Sequence, residues 1–91
     1  MEVLNGSRRA GVARAATRQL RRHGLDVVTF GNADAPSDST RVIVRRGDPA
    51  RGRDVRRALG AGSIAVEPDS LRRVDVSVIL GVDFQVRPLE P

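Results

Sequence analysis

The chain has no cysteine, lysine, tryptophan or tyrosine, and its only aromatic residues are Phe30 and Phe84. Without cysteine there is no disulfide staple, no thiol nucleophile and no thiolate metal ligand. Histidine is nearly missing too: His23 stands alone and the carboxylates are scattered, so no metal-ligating spacing is present. Long apolar runs are also lacking. A membrane span needs roughly 18–20 consecutive apolar residues, and nothing here approaches that. Glu2, Asn5 and Arg8 interrupt the opening residues, which therefore do not read as a signal peptide. If the natural protein is exported, its signal or anchor is expected outside these residues.

Arginine is what the chain has in abundance. All 16 of its lysine-plus-arginine positions are arginine, the net charge is +5 and the pI about 11.5. Codon usage in a GC-rich genome accounts for such a bias without any function. The functional alternative is that guanidinium groups suit bidentate phosphate and carboxylate contacts. Basic charge favours nucleic acid, anionic lipid or anionic wall polymer without choosing among them. Doublets stand at Arg8-Arg9, Arg21-Arg22, Arg45-Arg46, Arg56-Arg57 and Arg72-Arg73, each at or near the end of an expected element. They form either solvated rim charge or an anion-binding surface. Readers of single-stranded RNA usually add aromatic stacking platforms. Both phenylalanines here fit a core, which weakens that reading.

Ninety-one residues make one domain of modest stability, on the order of 5–10 kcal/mol at most. Residues 1–86 are expected to form it, with 87–91 a flexible tail. The clearest strand signal is Val74–Phe84, where Val76, Val78 and Leu80 alternate with Ser77, Ile79 and Gly81. The other expected elements are a strand at Glu2–Asn5, a helix from Ala10 or Gly11 to His23, and strands at Leu25–Phe30 and Thr40–Arg46. A second helix, with Asp48 at its N-cap and Pro49 at N1, runs to Gly60, and a short strand covers Ser63–Glu67. Gly31–Ser39 reads as a polar loop. In the first helix Val12, Ala13, Ala16 and Leu20 form the apolar stripe, Arg14, Arg18, Arg21 and Arg22 the wet side, and Gly24 the stop. The order β-α-β-β-α-β-β predicts an α/β (α+β) fold: a two-layer sandwich with a mixed sheet, one face mostly polar and two helices on the other. A ferredoxin-like arrangement with an extra strand is the expected topology.

Gly6-Ser7-Arg8-Arg9-Ala10-Gly11 has the glycine spacing of a phosphate-binding loop, but Val12 and Ala13 stand where lysine and Ser/Thr are required. What remains is a strand leading through a glycine turn to a helix N-terminus beside Arg8 and Arg9. Its free N–H groups could hold one phosphate or carboxylate. Equally, Gly6 and Gly11 could serve only tight turning. Asp34 and Asp38 share a loop that reads as solvated charge rather than a calcium site. A Ser-His pair must use His23, which a helix of this length puts roughly 20 Å from Ser7. No carboxylate pair suited to glycoside cleavage can be identified, and no cofactor is implied.

Four stretches resemble the C-terminal domain of LytR-type proteins, the LytR–CpsA–Psr group of bacterial cell-envelope proteins. They are Glu2–Ser7 followed by Ala10–Ala13, Gly24–Val28, Gly31–Asp34, and Asp75–Phe84 with its Gly-x-Asp-Phe ending. Arg8 departs from the pattern, since the family often has glycine or a small residue there. The resemblance implies a non-catalytic, extracytoplasmic module, usually following a membrane anchor, that binds anionic cell-wall polymer, peptidoglycan or a wall-assembly partner. In many relatives a separate catalytic domain precedes the module and acts on lipid-linked glycopolymers; no residue of that domain is present to carry over. Asn5, Gly6, Ser7, Arg8 and Arg9 would bear the contact, with Asn32 and Asp34 as second participants. The rivals are a cytoplasmic nucleic-acid-binding module using the arginine surface, and a protein-interaction domain pairing through an exposed strand edge.

Overall fold

The computed structural model describes residues 1–86; the tail expected over 87–91 lies outside them. Its elements are β1 (Glu2–Asn5), α1 (Val12–Arg22), β2 (Thr29–Asn32), β3 (Arg41–Val44), α2 (Ala50–Leu59), β4 (Ser63–Val66) and β5 (Val76–Leu80). The five strands form one mixed sheet in the order β2-β1-β5-β3-β4. β1 runs parallel to both β2 and β5, while β3 is antiparallel to β5 and parallel to β4. The alternating valines of β5 lie at the centre of the core: Val76, Val78 and Leu80 are at most 1% exposed. Val78 is registered with Val3 on one side and Val42 on the other. β5 is shorter than the expected Val74–Phe84 because the chain leaves the ladder at Gly81 and turns, Phe84 N–H donating to the Gly81 carbonyl.

The ferredoxin-like expectation is wrong. β1-α1-β2 and β3-α2-β4 each land on the adjacent strand, and β5 is inserted between the two units. Alternation reports which face a residue is on, not which strands are neighbours, so strand order left no trace in the pattern.

Both helices pack on the same side and touch one another. Gln19 of α1, 4% exposed, donates from Nε2 to the carbonyls of Ala58 (2.8 Å) and Leu59 (2.9 Å), closing the end of α2. α1 begins at Val12 rather than Ala10 because Gly11 adopts φ 80°. It ends as expected: Gly24 has φ 81°, its N–H donates to the Arg21 carbonyl, and Leu25 N–H donates to that of Leu20. Asp48 Oδ1 accepts the Ala50 N–H at 2.9 Å, with Pro49 already helical at the cap position of α2. Gly52 lets α2 settle on the sheet, since a Cβ there would stand 2.9 Å from methyls of both Ile64 and Val44. That close approach explains a residue which on propensity alone only weakens the helix.

The second strand is displaced along the chain, to Thr29–Asn32 instead of Leu25–Phe30. Val27 is buried in the core ahead of it, and Gly31 and Asn32, expected in a loop, are its last two residues. The far face of the sheet is less wet than its pattern suggests. Ile43 and Ser77 are 1% and 0% exposed there. Arg45 covers them, donating from Nε to Ser77 Oγ at 3.1 Å, while Glu2 accepts from Ser77 Oγ and pairs with Arg72. Long guanidinium stems do the covering that a second helix layer would otherwise do.

Candidate functional site

β1 and β2 lie side by side and parallel, ending at Asn5 and Asn32. In open α/β sheets ligands bind in the crevice beyond the carboxyl ends of such strands. Here that crevice is a cleft of about 360 Å³ whose walls include Asn5, Gly6, Arg8, Arg9, Asn32 and Asp34. Two segments far apart in sequence thus meet at one place, and six of the seven candidate residues line it.

The seventh, Ser7, is 3% exposed and holds the turn instead of facing the cleft. Asn5 Oδ1 accepts both the Ser7 N–H (2.9 Å) and the Ser7 hydroxyl (2.6 Å), and Ser7 Oγ accepts the Arg9 N–H at 3.2 Å. Asn5 Nδ2 donates to the Arg9 carbonyl at 2.7 Å. Asn5 and Ser7 therefore fix the loop's shape, leaving contact with a ligand to the residues they position. Gly6 is needed for close approach: its N–H donates to the Leu80 carbonyl, the Gly6 carbonyl accepts the Ser37 N–H, and a Cβ would lie 3.0 Å from Leu80 O.

Arg8 is exposed and sits at φ 67°, the left-handed region that favours glycine. An arginine here bears the strain of a backbone bend that glycine would adopt freely. Arg9 is less free, because its guanidinium donates to the Phe84 carbonyl. α1 starts just beyond, with no side-chain cap and no acidic residue in its first turn, so its positive end faces the same side uncompensated. From β2, Ala33 N–H donates to the Asn5 carbonyl at 3.0 Å, which brings exposed Asn32 and Asp34 to the opposite wall.

A smaller depression of about 300 Å³ continues the cleft along the sheet edge, sharing Asn5 and Asn32 and adding Arg14 and Phe30. Phe30 corrects an expectation: it is 40% exposed, whereas Phe84 is buried at 1%. Sequence reasoning missed it because an apolar residue between Val28 and Gly31 reads as core until β2 is known to be an edge strand.

Other candidate chemistry does not assemble. His23 lies at the far end of α1, exposed, with Nδ1 2.9 Å from the Gln19 carbonyl. A larger cavity of about 540 Å³ at the opposite end of the sheet is walled by Asp26, Asp54 and Asp75 with Arg51, which suits a cation better than an anion. Burial pushes the Asp75 carboxyl up, but the chain's amino terminus 3.3 Å away and Arg51 outweigh it, so the group is held below its ordinary range. No helix among the described residues is long and apolar enough to cross a membrane.

Comparison with known proteins joins the fold to a family. Residues 1–84 match the family described as LytR cell envelope-related transcriptional attenuator. The chain belongs to this family. Among solved structures it resembles the soluble domain of a conserved hypothetical secreted protein from Mycobacterium marinum, with 22% identity and a TM-score of 0.69. The match covers 98% of this chain and 62% of that one, so the chain spans under two thirds of that domain's length. At this identity the likeness speaks for the fold alone. No curated protein matches the chain in sequence.

Proposed function

We propose that this chain is a non-catalytic, extracytoplasmic module of the bacterial cell envelope, and that it binds anionic wall polymer in the cleft at the carboxyl ends of β1 and β2. The family's description as cell envelope-related supports the setting. The observation that carries the binding reading is the convergence of residues 5–10 and 32–36 on one cleft with two arginines on its wall. Arg8 supplies a guanidinium with no ion pair among the described residues, on a loop that Asn5 and Ser7 brace with hydrogen bonds, which reduces the ordering left to do on binding. Asp34 is the one carboxylate among the lining residues, and His23 is remote, so the cleft offers neither an acid–base pair nor an activated nucleophile. Its chemistry therefore supports gripping an anion.

The test is retention on purified sacculi carrying their anionic polymer, compared with stripped sacculi and with labelled RNA across a salt series. The proposal expects retention that depends on the polymer and falls with Arg8→Ala. A steep salt slope on RNA with no retention on sacculi would instead select the cytoplasmic nucleic-acid reading.

A further inference from the structure

The groove at the carboxyl ends of β1 and β2 has two chemically different halves. One carries Arg8, Arg9 and Asp34; the other, joined to it through Asn5 and Asn32, carries Arg14 and the exposed ring of Phe30. A site for a bare polyanion needs positive charge and little else. A half-exposed aromatic face beside an exposed amide is what a sugar ring requires: an apolar surface for its C–H face and hydrogen-bonding groups for its hydroxyls. The arginines on either side, Arg8 and Arg14, are both exposed and form no ion pair among the described residues. Their charge complements a carboxylate or phosphate borne by the sugar.

We infer that the groove recognises an acidic glycan, with a sugar ring seated on Phe30 beside Asn32 and its anionic substituent held by Arg8 or Arg14. This rests on the anion-binding reading above and adds a ring requirement to it. Phe30 becomes a contact residue of the site rather than a stray edge residue, and Arg14 a second cationic contact.

Short uronic-acid oligomers serve as the probe, with neutral glucan oligomers of equal length and polyphosphate as controls, each titrated against the whole chain by calorimetry. The inference expects the uronic-acid oligomer to bind and the neutral oligomer to bind far more weakly. Phe30→Ala and Phe30→Leu should weaken the acidic oligomer about three- to tenfold and leave polyphosphate unchanged. Phe30→Tyr should restore binding. The leucine variant keeps an apolar side chain at the edge, so a loss shared by alanine and leucine reports the ring and not a folding defect. If both Phe30 variants bind the acidic oligomer as the parent does while Arg8→Ala weakens it, the ring requirement is overturned and the anion reading survives. If neither Phe30 nor Arg8 substitution alters binding of any probe, both are overturned.

Discussion

Asp83 Oδ1 accepts two hydrogen bonds from Thr40, one from its N–H at 2.8 Å and one from its hydroxyl at 2.7 Å. Thr40 Oγ1 in turn accepts the Gly81 N–H at 3.1 Å. The Gly-x-Asp-Phe ending is thus a clasp. It pins the segment that leads from the cleft wall into β3 against the end of β5, and Phe84 closes it from within the core. At Gly81 a Cβ would stand 2.3 Å from the Ser39 carbonyl carbon, so only glycine fits. Gly81→Ala should therefore destabilise more than Asp83→Ala. The latter removes two hydrogen bonds to one carboxylate and should cost about 2 kcal/mol. Urea unfolding of both variants checks the order; equal or negligible losses would mean the clasp is not formed.

Arg8 provides a test in which stability and binding move in opposite directions. A non-glycine residue at φ 67° is strained, and relief by glycine should stabilise the domain by about 1 kcal/mol. For a domain of this size that raises the melting temperature by roughly 4–8 °C. Arg8→Gly should at the same time lose retention on polymer-bearing sacculi. A variant that is more stable and still fully retained would remove Arg8 from the site.

On α1, Gln19 and Thr17 should behave oppositely. Gln19→Leu leaves two buried helix-end carbonyls without their donor and should cost about 1–3 kcal/mol. Thr17, 1% exposed, buries a hydroxyl that has no hydrogen-bond partner among the described residues. Thr17→Val should be neutral or stabilising by up to about 1 kcal/mol. Thermal melts of the two variants give the signs directly.

Much of this could be read from the residues before any coordinates. Alternation places Val76, Val78 and Leu80 in the core, the apolar stripe of α1 identifies four of its six buried residues and leaves out Thr17 and Gln19, and Gly24 stops the helix as its conformational freedom suggests. Asn5, Gly6, Arg8, Arg9, Asn32 and Asp34 were chosen from two distant stretches, and the parallel pairing of β1 with β2 brings them together. The missed features depend on context that local pattern does not carry. Strand order, the register of β2 and the exposure of Phe30 all follow from which strands are neighbours. The tie between Arg9 and Phe84 spans 75 residues, beyond the reach of any motif.

Asp75 makes one contribution to acid stability, through the chain's amino terminus and Arg51. Its carboxyl titrates below its ordinary value of 3.8, so it stabilises the fold above that pH and the contribution is lost as pH falls through the lowered value. Asp75→Asn should lower stability at neutral pH and show a shallower decline below about pH 4, the two proteins converging at the acid extreme. Parallel declines would show that Asp75 has no favourable partner in the fold.

The central claim is that an anionic wall polymer binds at the carboxyl ends of β1 and β2. Amide chemical-shift mapping during titration with solubilised wall polymer tests it most directly. The largest shifts are predicted at Gly6, Arg8, Asn32 and Asp34, with Asp26, Asp54 and Asp75 at the opposite end unmoved. Shifts centred on that acidic end, or spread evenly over the arginine-bearing surface of both helices, would contradict it.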